Sequence, residues 1–229
     1  EYSLDGGRTW QVYTGAVEIC PGPTPATELT YRSVSSAGNV ESPKTITVNI
    51  DTTAPVITGS ASPASNASGW NNTDVTVVFT CSDSGSGIAS CTSTVTVNTE
   101  GAGQPVTGTA VDAAGNTAST SLILNIDTAP PVIVASVSPR PNASGWHNTD
   151  VTVTFTCTDA VSGIASCPLP VTVTTEGANQ IFSGTAVDKA GNTATALVTL
   201  NIDKTSPDAA VTVTPGILWP PNHKRVNVA

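Results

Sequence analysis

Two pairs of cysteines share one spacing and one surrounding motif. Nine residues separate Cys81 from Cys91 and Cys157 from Cys167, and each pair flanks a Ser-Gly-Ile-Ala-Ser stretch. In a β-sandwich each pair would join the end of one strand to the start of the next, so a disulfide would staple the connection. The alternatives are free buried thiols and zinc, although zinc would need further Cys or His ligands nearby. Disulfides would imply an oxidising, extracellular compartment.

Six aspartates form two trios with equal spacing: Asp51, Asp83 and Asp112, then Asp127, Asp159 and Asp188. If each trio converges, its carboxylates and nearby loop carbonyls would supply the six to eight oxygens that Ca²⁺ prefers. Aspartate is also favoured in turns for a simpler reason, because its carboxylate accepts hydrogen bonds from nearby backbone N–H groups. Both interpretations stay open, and calcium is the one cofactor that the sequence suggests.

Residue patterns for catalysis are missing from the sequence. It contains no G-x-S-x-G, H-E-x-x-H or P-loop motif. His147 stands where the other half of the chain has Asn71, and no acid near His223 is suited to orient it. We therefore expect no enzyme activity. Trp70 and Trp146 each stand without a second aromatic residue, so we expect them to cover an edge of the fold rather than to stack on a sugar.

The chain contains two copies of one segment. Residues 51–126 and 127–202 align without a gap and are identical at 50 of 76 positions. Residues 1–50 resemble the second half of this unit, and residues 203–229 resemble its opening. We expect a partial unit, two whole units and the opening strands of a further unit, cut out of a longer protein. Tandem copies of a small domain usually provide length and display rather than catalysis.

Short β-branched runs with period-two alternation fill each unit. In the first whole unit they span residues 75–81, 93–98, 105–112 and 117–127, separated by Gly, Pro, Asn and Asp. Six or seven short strands in about 75 residues predict an all-β fold of tandem immunoglobulin-like antiparallel β-sandwiches in an extended array. In such a sandwich the loops that carry Asp83 and Asp112 share an end with the incoming linker at Asp51. This shared end is why each trio is expected to converge.

Charge and hydropathy narrow the range of partners. The net charge is −9, with only eight Lys and Arg residues, so a nucleic acid partner is not expected. No apolar run approaches the roughly 20 residues of a membrane span. An acidic, Thr-rich and Lys-poor surface fits an extracellular stalk.

Several motifs resemble those of bacterial immunoglobulin-like tandem repeats. The motifs are DTTAPVI at 51–57, GWNNTDVTVVFTCSDSGSGI at 69–88 and TAVDAAGNTA at 109–118. Residues 1–15 and 30–51 resemble a sister type, and LWPPNHK at 218–224 resembles the opening of such a repeat. The resemblance implies a secreted or surface-anchored protein, either an adhesin-type stalk or an accessory module of a secreted hydrolase.

The leading hypothesis is a spacer segment whose partners are neighbouring immunoglobulin-like domains of the same or an adjacent chain. One alternative is an accessory binding module of a secreted carbohydrate-active enzyme. Another is a subunit of a head-to-tail filament, in which strands at 211–213 and 225–228 of one chain pair with residues 1–51 of the next.

Two further features have no assigned role. Cys20 lacks a counterpart in the repeats, so it would pair outside the chain, link chains or stay a thiol. Asn66, Asn71 and Asn142 stand in glycosylation sequons, which matter only if the source glycosylates its secreted proteins.

Overall fold

The computed structural model describes residues 1–19 and 26–211, and this part of the chain is all-β. Its strands form three-stranded sheets, with antiparallel pairing. The expected all-β class is confirmed. The same residues include no helix that is long and apolar enough to cross a membrane. The expectations for Cys20, His223 and the strand at 225–228 fall outside the described residues.

The first sheet precedes the repeats and has the order β1-β2-β3, with β1 (Tyr2–Ser3), β2 (Ala26–Tyr31) and β3 (Lys44–Asn49). After β1 the chain folds around the Asp5 carboxylate. This carboxylate accepts hydrogen bonds from the hydroxyls of Ser3 and Thr9, both at 2.6 Å. Together with backbone N–H donors, these bonds hold the pKa of Asp5 well below its usual range, so the loop is built around a charged side chain.

The first repeat contains six strands: β4 (Val56–Ser62), β5 (Val75–Ser82), β6 (Ile88–Cys91), β7 (Val95–Val97), β8 (Gly101–Asp112) and β9 (Thr117–Ile126). They form two sheets, ordered β4-β5-β7 and β6-β8-β9. The strands predicted at 75–81, 93–98, 105–112 and 117–127 are confirmed as β5, β7, β8 and β9. Strand β8 begins four residues earlier than predicted, at Gly101.

Alternate side chains of these strands fill the core of the first repeat. Its buried residues are Val75, Val77, Phe79, Val106, Leu124 and Ile126. Along β5 the inward residues Val75, Val77 and Phe79 alternate with more exposed ones, as the period-two pattern requires. Burying such a side chain contributes about 1.5–3 kcal/mol, so the β-branched pattern that defines the strands also stabilises the core.

The second repeat has the same plan, with β10 (Val132–Ser138), β11 (Val151–Thr158), β12 (Ile164–Ser166), β13 (Val171–Val173), β14 (Gly177–Asp188) and β15 (Thr193–Ile202). Its sheets are ordered β10-β11-β13 and β12-β14-β15. The buried core consists of Val151, Val153, Phe155, Val173, Leu200 and Ile202. Each repeat therefore has its own apolar core.

A disulfide joins the two sheets of each repeat. The S–S distance is 1.98 Å for Cys81–Cys91 and 1.97 Å for Cys157–Cys167. The alternatives of zinc and free thiols do not apply to these four residues. One detail of the prediction was wrong, because Cys91 ends β6 rather than beginning it. Strand β6 starts immediately after the tight turn at Gly87, which has a φ of 85°.

A short parallel bridge fixes the end of the first repeat. The Asn71 N–H donates to the Asn125 carbonyl at 2.9 Å, and the Asp127 N–H donates to the Asn71 carbonyl at 2.9 Å. His147 makes the same pair of backbone bonds one repeat later. The backbone of this position, rather than its side chain, therefore sets where the chain leaves the last strand.

The residues also fall into two compact units. The first unit comprises Glu1–Val132, Thr158–Ser166 and Val187–Ala194. The second comprises Ile133–Cys157, Cys167–Ala186 and the chain from Thr195 onward. This division does not follow the sequence repeats, because two segments of the second repeat, including strand β12, belong to the first unit. Both aspartate trios lie entirely within the first unit.

Candidate functional site

The first aspartate trio lies where a linker meets two strand ends. Asp51 is in the linker between β3 and β4, Asp83 directly follows β5, and Asp112 is the last residue of β8. One carboxylate oxygen of each lies within 4.8 Å of the others. The expected convergence is therefore found, and it involves the ends of two strands from different sheets.

Two of these carboxylates also shape their own turns. Asp83 Oδ2 accepts hydrogen bonds from the N–H groups of Gly85 at 2.9 Å and Gly87 at 2.8 Å. Asp112 Oδ1 accepts from the N–H of Asn116 at 2.8 Å. This is the turn-capping role that aspartate is expected to play, so part of the reason for aspartate at these positions is local.

Asp51 reaches beyond its own turn. Its Oδ1 accepts from the Thr53 N–H at 3.0 Å, and its Oδ2 accepts from the Ser86 N–H at 2.7 Å, which lies 35 residues away. Hydrogen bonds from Ser86, and next from the backbone N–H of Thr53, lower the pKa of Asp51. The linker is thus fastened to the loop after β5 by an ionised carboxylate.

Asn116 fastens the same linker to the turn after β8. Its Nδ2 donates to the backbone carbonyl of Asp51 at 3.0 Å and to Asp112 Oδ2 at 2.8 Å. Sequence reasoning missed this link and the Ser86 contact. The available signal was the repetition of both residues, as Asn192 and Ser162, and Ser162 stands in a loop that otherwise differs between the repeats at three of its first five positions, 158–162.

One carboxylate oxygen of the trio has no partner. Asp83 Oδ1 is buried without a hydrogen bond, and the ion pairs found among the described residues involve none of the three aspartates. A cleft of about 430 Å³ opens beside Asp51, lined also by Gly85, Ser86 and Ala114 among others. The trio therefore concentrates negative charge beside an open cleft. Clustered carboxylate oxygens of this kind are the ligands that a hard cation such as Ca²⁺ prefers.

The second trio repeats this arrangement with closer packing. Asp127, Asp159 and Asp188 also bring carboxylate oxygens within 4.8 Å of one another. Asp127 Oδ2 accepts from the Ser162 N–H at 3.0 Å, and Asn192 Nδ2 donates to the Asp127 carbonyl at 2.8 Å. Asp127 has 0% exposed area, whereas Asp51 is only half-buried. Each trio therefore offers three carboxylates, but the linker aspartate is accessible to solvent in the first trio and buried in the second.

The tryptophans, His147 and the sequon residue Asn71 lie in loops or are buried. The Trp70 N–H donates to Asn66 Oδ1 at 3.1 Å and the Trp146 N–H to Asn142 Oδ1 at 3.0 Å, so both tryptophans belong to one loop type. His147 is buried, and its Nδ1 has no hydrogen-bond partner in the described part of the chain. The sequon residue Asn71 is buried as well.

No model of a known protein family matches this chain, and no curated protein matches it either. Its function is therefore inferred from the repeat and from the geometry of the two trios.

Proposed function

We propose that this chain is a spacer segment of an extracellular protein, built from tandem immunoglobulin-like domains that hold an adhesive or other active end away from a surface. The observation that carries this proposal is the gapless repeat, each copy with its own pair of sheets, core and disulfide. The strand orders β4-β5-β7 and β6-β8-β9 support an immunoglobulin-like assignment, since they correspond to an A-B-E sheet facing a C-F-G sheet. An inter-sheet disulfide supports an oxidising compartment.

The linkers support the spacer role. Bonds from Ser86 and Asn116 hold the linker at Asp51, and bonds from Ser162 and Asn192 hold the linker at Asp127. Prolines follow both aspartates within a few residues and restrict φ in the linker. A spacer needs joints that resist bending, because a freely jointed chain would not keep its end at a distance.

Small-angle X-ray scattering tests this function. Strands of ten or so residues rise about 3.3 Å per residue, so each added repeat should lengthen the particle by roughly 35–40 Å. We expect the maximum dimension to grow by this amount when one more copy of residues 127–202 is inserted after Ile202. A particle that grows in volume without growing in length would exclude the spacer role. A polysaccharide pull-down with the same chain separates this role from that of a carbohydrate-binding module.

We further propose that each trio binds Ca²⁺ and stiffens its linker. The proposal is supported by three carboxylates within 4.8 Å and by the unpartnered Asp83 Oδ1. Calcium at 100 times its Kd should stabilise the fold by about 2.7 kcal/mol if it binds only the folded state. Melting in chelator and in millimolar calcium measures this gain. Asp83→Asn should reduce this stabilisation by calcium, whereas the exposed control Asp74→Asn should not. Equal unfolding midpoints of the parent chain in chelator and in calcium would reject the site.

One observation favours the filament alternative. Ile46 in β3 is 49% exposed, whereas Leu122, its equivalent in the first repeat, packs against the core. The apolar face of the β1-β2-β3 sheet would be covered if strands from a neighbouring chain were added to it. Of the proposed donor strands only Val211 lies within the described residues, and it belongs to no strand. Light scattering decides: a monomer at all concentrations would exclude the filament.

A further inference from the structure

Asn66 connects a loop of the first repeat with a turn of the second. Its Oδ1 accepts hydrogen bonds from the N–H groups of Ser68 at 2.9 Å and Trp70 at 3.1 Å, which fold the 66–70 loop. Its Nδ2 donates to the carbonyl oxygens of Lys189 at 2.9 Å and Ala190 at 3.0 Å. All of these residues belong to the first compact unit. One side chain therefore shapes a loop with its oxygen and holds another turn with its nitrogen.

One residue of the turn that Asn66 holds is buried, whereas its counterpart in the first repeat is exposed. Ala190 is 4% exposed, but Ala114, at the same position of the first repeat, is exposed. The two turns have the same internal bonds, from Asp112 N–H to Asn116 at 3.0 Å and from Asp188 N–H to Asn192 at 3.1 Å. Their difference in burial therefore reflects what lies against them rather than their own shape.

The second repeat carries the same loop without a bound turn. Asn142 Oδ1 accepts from the N–H groups of Ser144 and Trp146, both at 3.0 Å, so the 142–146 loop has the fold of the 66–70 loop. Asn142 is exposed, its Nδ2 donates no hydrogen bond to the described residues, and Trp146 is 36% exposed. The loop is already shaped for a contact that its twin makes elsewhere in the same chain.

We propose that the 142–146 loop is a docking surface for the Ala-Gly-Asn turn of a further repeat, with Asn142 Nδ2 donating to two carbonyl oxygens of that turn. The occupant follows from the twin contact, in which Asn66 bonds to backbone carbonyls and not to side chains. Any repeat with this turn fits, whether Ala or Lys precedes the Ala-Gly-Asn sequence, as at Ala113 and Lys189. The inference rests on the proposed function, because a tandem array supplies the further repeat whose turn would bind to this loop.

Substitution of Asn by Asp separates the two roles of the side chain. Aspartate keeps an oxygen for the loop N–H groups but replaces the amide donor with an acceptor that faces carbonyl oxygens. In the 229-residue chain, Asn66→Asp should lower the unfolding midpoint by about 2–4 °C, whereas Asn142→Asp should leave it unchanged. With a further copy of residues 127–202 inserted after Ile202, Asn142→Asp should lower the midpoint as much as Asn66→Asp does.

The side-chain amide signals of the two asparagines give an independent measurement. In the 229-residue chain the Asn66 amide should exchange slowly with solvent and the Asn142 amide rapidly. In the extended chain both should exchange slowly. If the first extension does not fold, as judged by its disulfide content, a copy of residues 51–126 inserted at the same place replaces it.

Two results would overturn the docking surface. One is an extended chain in which Asn142→Asp has no effect and the Asn142 amide stays unprotected. The other is an equal loss of stability from Asn142→Asp in the 229-residue chain, since the residue would then act only on its own loop. Protection of Asn142 that rises with concentration of the 229-residue chain would assign the occupant to a second molecule instead. In each case, a maximum particle dimension that still grows with each added repeat would leave the spacer role intact.

Discussion

At the scale of single residues, each aspartate trio combines local and distant hydrogen bonds. Asp83 and Asp112 accept from N–H groups within four residues, which is the ordinary work of aspartate in a turn. Asp51 instead reaches Ser86 and so holds a linker against a loop. Turn capping can be predicted from the sequence because it involves residues close in the chain. The contact between Asp51 and Ser86 cannot, because the fold brings these residues together.

The lowered pKa of Asp51 predicts how its contribution depends on pH. A carboxyl group whose pKa is lower in the folded state stabilises that state fully above its unfolded pKa of about 3.9 and loses this contribution as the pH falls through the folded pKa. Asp51→Asn should therefore lower the unfolding midpoint at neutral pH, and the difference from the parent chain should narrow on acidification.

Thermal unfolding between about pH 7 and pH 2 checks this expectation, since the range spans the ordinary carboxyl pKa. Asp74→Asn serves as the control, because the Asp74 side chain accepts no hydrogen bond from the described residues and is exposed. A constant difference between Asp51→Asn and the parent chain across the whole range would show that the hydrogen bonds of Asp51 do not depend on its charge.

At the scale of strands, the two repeats solve one packing problem in different ways. A Cβ on Gly59 in β4 would collide with Leu122 Cδ1 in β9 and lie 3.1 Å from Phe79 Cε1. The second repeat has Ala135 at the position of Gly59 and Val198 at the position of Leu122. The larger residue in one strand is thus matched by a smaller one in its neighbour, as dense core packing requires.

The matched residue sizes predict that a second substitution will restore the stability lost by the first. Gly59→Ala alone should destabilise the first repeat by about 1–3 kcal/mol because it overpacks the core. Gly59→Ala combined with Leu122→Val should recover most of that loss, giving a coupling energy of about 1 kcal/mol or more. Urea unfolding of the parent, both single variants and the double variant measures the coupling. Additive losses would mean that Leu122 does not limit the space at Gly59.

The strands and their cores could largely be predicted from the sequence, and the contacts between distant loops could not. Period-two alternation predicted β5, β7, β8 and β9, and the repeated cysteine pairs predicted the sheet-to-sheet disulfides. The early start of β8 was missed because it involves an irregular register between Gly101 and Gln104, opened by a glycine with a φ of 148°. The Asn66–Lys189 bond spans 123 residues, so no local pattern could reveal it.

At the scale of the whole molecule, each repeat has a core of the same design and its own disulfide. Hydrogen bonds from the Asp127 N–H to the Asn71 carbonyl and from Asn66 Nδ2 to the carbonyls of Lys189 and Ala190 connect the repeats. Each such bond contributes a net stabilisation of about 0.5–1.5 kcal/mol. Each disulfide closes a loop with a sequence separation of 10. Loops of that length contribute about 2.5–3 kcal/mol in the chain-entropy account, which exceeds any single contact between the repeats.

Removing one disulfide should therefore make the two cores differ in stability. We expect the paired change Cys157→Ala and Cys167→Ala to lower the stability of the second core by about 2.5–3 kcal/mol, with a much smaller effect on the first. Hydrogen exchange followed by mass spectrometry checks this through peptides from β5 and β11, which lie in separate cores. The matched control is the paired change Cys81→Ala and Cys91→Ala, which should reverse the order of exchange. Equal acceleration in both peptides, from either pair, would mean that the repeats unfold as a single cooperative unit and that their joints are stronger than their hydrogen bonds imply.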